Sequence, residues 1–215
     1  MSKIFYGVYL KRVEVSTALD LIRFLGEPES IRYSHITLRG PYRTELRRAR
    51  LEEINSDSSY KWEVSLTEPL AFFDDRQSTV TIAVDLMSLS GLLHKPDFPD
   101  GIPHITLYDG NDRTFARHLF SLVTQHRWQH VLGVTPLRRI QPKRNVANEF
   151  PSFFTAFTDL YKKIVGNPDG MGTVAAMSAD QRLDLIDEII RGQRPQAGAP
   201  PADQVVPVIQ RAVWA

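Results

Sequence analysis

The sequence predicts an α+β fold made from two copies of one unit. Three observations carry that prediction. The tetrapeptide His-Ile-Thr-Leu occurs twice, at residues 35–38 and 104–107. Each copy sits in the same order of elements: strand, helix, His-Ile-Thr-Leu strand, helix, strand. The apolar spacing switches between alternation and helical stripes at matching places in both halves, as expected of an internal duplication packed about a pseudo-two-fold axis.

In the first half, "IFYGVYL" (4–10) is short and rich in aromatic and β-branched residues, which reads as a strand. Thr17 opens a helix with Ala18, Leu21, Ile22 and Leu25 on one stripe and Asp20 placed as a capping-box acid; Gly26 and Pro28 end it. The first His-Ile-Thr-Leu strand stops at Gly40-Pro41. A charged helix follows over Thr44 to Asn55, and Trp62 to Leu66 alternates as a half-buried strand.

In the second half, Ser78 to Asp85 alternates Val80, Ile82 and Val84 with small or polar residues and predicts a strand. Leu86, Leu89 and Leu93 then fall at helical spacing. The second His-Ile-Thr-Leu strand leads into a helix carrying Phe115, Leu119, Leu122 and Val123, and a last strand runs from Val131 to Val134 and on to Ile140. The repeated core spans residues 1–148, with lobes of roughly 1–75 and 76–148.

Residues 149–192 form a helical extension. Phe153, Phe157, Leu160, Tyr161 and Ile164 make one stripe; a second helix starts at Ser178, where Gln181 completes a capping box, and carries Leu183, Ile186 and Ile190. Residues 193–215 are a Pro/Ala-rich linker and an apolar tail that could dock on the body or on a protein partner.

Composition narrows the function. An apolar fraction of 42% without a long apolar run gives no expected membrane segment. The N-terminal apolar stretch is too short for a secretory signal, so cytoplasmic residence is expected. The chain has no cysteine, which removes disulfides, thiolate-zinc sites and cysteine nucleophiles. With 26 basic and 25 acidic residues, a general electrostatic grip on duplex nucleic acid is not indicated, whereas a small phosphate ligand is compatible.

Alternation on a strand puts His35, Thr37 and Arg39 on one face, and His104, Thr106 and Tyr108 on the equivalent face of the second copy. One such motif is ordinarily a packing or surface feature; two in matching positions point to a shared site. Two imidazoles and two hydroxyls suit phosphodiester chemistry. One neutral His takes a proton from the attacking oxygen, a protonated His gives one to the departing oxygen, and the Thr hydroxyls hold non-bridging phosphate oxygens. No metal and no cofactor are needed.

The paired "SHITL" and "PHITL" strings resemble the two H-x-T-h motifs of the 2H phosphoesterase superfamily, and "PHITL" is similar to the motif of its RNA 2′,3′-cyclic phosphodiesterase and 2′-5′ RNA ligase-like members. The resemblance covers residues 1–148. It implies a bilobal fold of two antiparallel sheets flanked by helices around a central cleft, with His35 and His104 as the catalytic pair and Thr37 and Thr106 binding phosphate. It implies as substrate a nucleotide, an oligonucleotide or an RNA end carrying a 2′,3′-cyclic phosphate, or a 2′-5′-linked or cyclic oligonucleotide. "RGPY" after the first motif and the C-terminal extension depart from the family pattern and leave the substrate open.

Arg39, Tyr108, Tyr42 and Tyr9 are further candidates for substrate contact, and Arg138, Arg139, Lys143 and Arg144 could steer an oligonucleotide. His94, His118, His126 and His130 show no spacing that suggests a metal site. The competing reading is a non-catalytic nucleotide-binding or partner-binding protein that keeps the cleft.

Overall fold

A computed structural model of the chain describes residues 3–11, 13–28, 33–56, 62–85, 95–96, 102–126, 128–140 and 176–192. Its strands are β1 (Ile4–Tyr9), β2 (His35–Tyr42), β3 (Glu63–Phe72), β4 (Ser78–Asp85), β5 (Lys95–Pro96), β6 (His104–Gly110), β7 (Val131–Gly133) and β8 (Arg138–Arg139). The described helices are α1 (Glu14–Gly26), α2 (Arg48–Ser56), α3 (Arg113–Gln125) and α4 (Ala179–Gly192). The α+β class follows directly.

The two separate sheets expected from the sequence are replaced by one continuous sheet. Its order is β7-β3-β4-β6-β2-β1-β8, antiparallel at every step, with β5 parallel beside β2. The join in the middle is β2 against β6, where Ile36 pairs with Ile105. The ends also meet. β7 pairs with β3, yet the residues just after it turn to β1: Val134 bridges Leu10, Lys11 N–H donates to the Gly133 carbonyl at 2.7 Å, and Thr135 N–H donates to the Tyr9 carbonyl at 2.8 Å. The single last strand expected from Val131 to Ile140 is therefore split between two partners. This curl satisfies edge groups that two open sheets would leave exposed.

Local chemistry explains several boundaries. α1 begins at Glu14, ahead of the expected Thr17, because Ser16 Oγ accepts the Val13 N–H at 2.9 Å and donates to the Val13 carbonyl at 2.8 Å. The first turn is capped without Asp20, whose carboxylate instead accepts the Ser34 N–H. α3 is capped as Asp112 accepts the Phe115 N–H at 2.9 Å. α4 shows the expected capping box: Gln181 N–H donates to Ser178 Oγ at 3.2 Å and Ser178 N–H to Gln181 Oε1 at 2.9 Å. α2 starts at Arg48, later than Thr44, and β3 runs on to Phe72 to form a hairpin with β4.

α1 lies on β6 and α3 on β3, β4 and β6, and α4 packs against both α1 and α3. Leu19 and Ile22 of α1, Phe115 and Leu119 of α3, and Ile186 and Ile190 of α4 are buried in one core with Ile36, Leu38, Ile105 and Leu107. Polar links fasten α4: Arg182 Nη1 donates to the carbonyls of Leu25 and Gly26 at 3.0 and 3.2 Å, closing the C-terminus of α1, and its guanidinium lies 5.1 Å from the Phe115 ring centre. His126, at the end of α3, shares a 3.2 Å hydrogen bond between Nε2 and Asp187 Oδ1. This part of the C-terminal extension is a layer of the core.

The expected stripe of Leu86, Leu89 and Leu93, the Phe153 to Ile164 helix and the 193–215 tail lie outside the described residues. Among the described residues no helix is long and apolar enough to cross a membrane.

Candidate functional site

Ile36 opposite Ile105 fixes the geometry of the repeated motifs. In an antiparallel ladder that register sets His35 opposite Thr106 and Thr37 opposite His104, so the four side chains share one face with the histidines on a diagonal. Diagonal neighbours in such a ladder stand roughly 7 to 8 Å apart at their Cβ atoms. Burial follows the alternation: Ile36, Leu38, Ile105 and Leu107 are fully enclosed, Thr37, Thr106 and His35 are half-buried, and His104 is exposed.

The neighbouring strands supply the flanks. Tyr9 and Gly7 of β1 pair with His35 and Thr37, while Ala83 and Thr81 of β4 pair with His104 and Thr106. Gly7 is required by close approach. A Cβ there would lie 2.1 Å from the Ile36 carbonyl oxygen.

Both histidines are held in the same way. His35 Nδ1 lies 2.9 Å from the Tyr33 carbonyl and His104 Nδ1 lies 2.7 Å from the Ile102 carbonyl, each two residues upstream. A carbonyl only accepts, so each Nδ1 carries the proton and Nε2 is the nitrogen that exchanges protons. The matched contact orients both rings before any ligand arrives.

The structure divides the other candidates. The Tyr9 ring packs against His35 at a centroid distance of 5.8 Å and so belongs to the site. Arg39 and Tyr108 do not share the His-Thr face. Thr37 pairs with Gly7 but Arg39 pairs with the next residue, Tyr6, leaving Leu38 as an extra residue; likewise Thr106 pairs with Thr81 and Tyr108 with Val80, leaving Leu107 extra. A β-bulge after each motif reverses the alternation. Arg39 consequently lies on the Tyr6 side of the sheet. Tyr108 is buried against Phe115, ring centres 5.2 Å apart, and its hydroxyl accepts the Asp112 N–H at 2.8 Å. Burial pushes the Tyr108 phenol above its ordinary pKa.

A second irregularity moves Tyr42. Between Arg39 and Tyr42 the ladder slips again at Gly40, whose φ of 114° suits only glycine. Tyr42 then pairs with Ile4 and meets the Tyr6 ring edge-on at 6.1 Å, on the core side. Alternation alone could not reveal these slips.

One residue of the site was misread from sequence. Asp20, expected as a capping acid, is buried on α1 and its Oδ1 accepts the Ser34 N–H at 2.6 Å, immediately before His35. The signal was present: an acid between Leu19 and Leu21 on an apolar helix has to find a buried donor.

Arg138 and Arg139 are exposed on β8, where Arg139 forms an ion pair with Glu45; Lys143 and Arg144 lie outside the described residues. His118 is exposed and His94 lies outside the described residues. Among the described residues no group of three or more His, Asp or Glu side chains converges as a metal site would require.

Comparison of the chain with known protein families, with curated proteins and with solved structures finds no match.

Proposed function

We propose that the chain is a metal-independent phosphodiesterase of the 2H phosphoesterase type, acting on a nucleotide or RNA phosphoester such as a 2′,3′-cyclic phosphate or a 2′-5′-linked or cyclic oligonucleotide. The observation that carries this reading is the pairing of Ile36 with Ile105, which gives two His-x-Thr motifs one common face with both imidazoles tethered through Nδ1.

Displacement at phosphorus needs a base beside the entering oxygen and an acid beside the departing one, on opposite sides of the phosphorus. Two histidines on the diagonal of a four-residue cluster suit that demand, and the Thr37 and Thr106 hydroxyls on the other diagonal suit the non-bridging oxygens. Each proton-transfer role typically contributes about 10² to 10⁴ in rate. Gly7, Thr81 and Ala83 keep the flanks low, and the buried Tyr9 ring packs against His35 and steadies its imidazole. The duplicated origin of the two halves belongs to the same reading: matching bulges after both motifs are what two copies of one unit would retain.

The test is hydrolysis in EDTA of a panel of 2′,3′-cyclic nucleotides, 2′-5′ and 3′-5′ dinucleotides, and cyclic di- and trinucleotides. Turnover of one class names the substrate. Tight binding of a member without turnover of any would replace the enzyme with a nucleotide-binding protein.

A further inference from the structure

We propose that Asp20 is a positioning residue for His35, acting through the Tyr33–Ser34 peptide, and that it makes His35 the proton-donating member of the histidine pair and His104 the proton-accepting one. This inference rests on the two-histidine phosphodiesterase reading above. It assigns the roles that the symmetry of the motifs leaves open.

One peptide group, Tyr33–Ser34, links Asp20 to His35. Its N–H, that of Ser34, donates to Asp20 Oδ1 at 2.6 Å, and its carbonyl, that of Tyr33, accepts from His35 Nδ1–H at 2.9 Å. A carboxylate at the N–H end draws the peptide dipole toward its oxygen, and hydrogen bonds in a chain reinforce one another. The carbonyl becomes a better acceptor for Nδ1–H, and imidazolium is the better donor to it, so the charged form of His35 is favoured.

The second motif lacks the means to do this. His104 Nδ1–H donates to the Ile102 carbonyl at 2.7 Å, but the nitrogen of that peptide belongs to Pro103, which has no N–H. No carboxylate can be coupled through it. "SHITL" and "PHITL" thus differ at the one position that breaks their equivalence.

The charged and titratable groups on the elements packed around His35 are Tyr6 and Tyr9 on β1, Glu14, Asp20 and Arg23 on α1, Tyr33 just before β2, Arg39 and Tyr42 along it, Lys95 on β5, and His104, Tyr108 and Asp109 on β6. Among them Asp20 is the group joined to the peptide that holds the ring. In the reaction, His104 Nε2 takes a proton from the attacking water, the water oxygen bonds to phosphorus, the P–O bond to the ribose oxygen breaks, and His35 Nε2–H gives its proton to that oxygen. One proton arrives at His104 as one leaves His35. Exchange with solvent resets the pair.

The test is an NMR titration of the imidazoles in the full chain, with assignments from His35→Ala and His104→Ala, for wild type and Asp20→Asn. Asparagine keeps an oxygen for the Ser34 N–H and removes the charge. The expected result is that His35 titrates above His104 in wild type and that Asp20→Asn lowers the His35 midpoint by about half a unit, less than the 1 to 3 units of a direct carboxylate contact. The His104 midpoint stays, and the alkaline limb of the pH–rate profile moves down with His35. An unmoved His35 midpoint, or His104 titrating above His35, overturns the proposal. If Asp20→Asn does not fold, the order of the two midpoints in wild type decides. The titration reads this coupling without substrate, so a wild type that turns over no phosphoester counts against the phosphodiesterase reading alone.

Discussion

Ile36 and Ile105 face each other across the β2–β6 ladder, both fully shielded from solvent, and this single pair joins the two halves of the sheet beneath the candidate site. Truncating either side chain removes apolar contacts and opens a cavity at the join. Ile105→Ala is expected to cost about 2 to 5 kcal/mol, and Ile105→Val about 0.5 to 1.5 kcal/mol. Urea unfolding of the two variants measures both, and a cost for the alanine variant no larger than that for valine would mean that the pair does not bear on the join.

Gly7→Ala probes the close approach of β1 to β2. The new Cβ would fall 2.1 Å from the Ile36 carbonyl, a backbone atom that cannot swing aside. Overpacking of this kind costs about 1 to 3 kcal/mol and displaces the strand that carries His35 and Thr37. A lower urea midpoint together with a fall in turnover is expected.

Arg182 ties α4 to the end of α1 and to Phe115. Hydrogen bonds from a charged donor are worth roughly 1.5 to 3 kcal/mol, and Arg182→Ala is expected to lose stability on that scale. Removal of α4 exposes Leu183, Ile186 and Ile190 together with their partners in the core. A chain ending before Ala179 is therefore expected to aggregate, and a soluble, cooperatively folding truncation would contradict the role of α4 as a core layer.

Tyr108 gives the fold a defined alkaline limit. Its folded-state pKa is raised above the ordinary phenol value of 10.0, chiefly by burial, so the neutral phenol stabilises the fold below that pH and the contribution is lost as pH rises through the folded value. Tyr108→Phe removes this loss along with the hydrogen bond from Asp112. Urea midpoints measured across the alkaline range are expected to fall less steeply for the variant than for wild type.

Elements governed by local spacing were legible in the sequence. The strand Ser78–Asp85 and the Ser178–Gln181 box match because alternation and capping act over a few residues. Features set by distant partners were not. The bridge from Leu10 to Val134 that curls the sheet depends on residues far apart in sequence, and periodicity carries no trace of it. Arg39, Tyr42 and Tyr108 were misplaced because the bulges at Leu38 and Leu107 and the slip at Gly40 change faces without changing residue type. His35, Thr37, His104 and Thr106 share a face because they precede those bulges.

The two-histidine account is tested most directly by comparing turnover in EDTA for wild type, His35→Ala, His104→Ala and the double variant on the substrate that the panel identifies. A base and an acid working in one step lose their effect together, so each single variant is expected to fall by about 10² to 10⁴ and the double variant to be little worse than either. Wild-type turnover that survives both single substitutions would contradict the account.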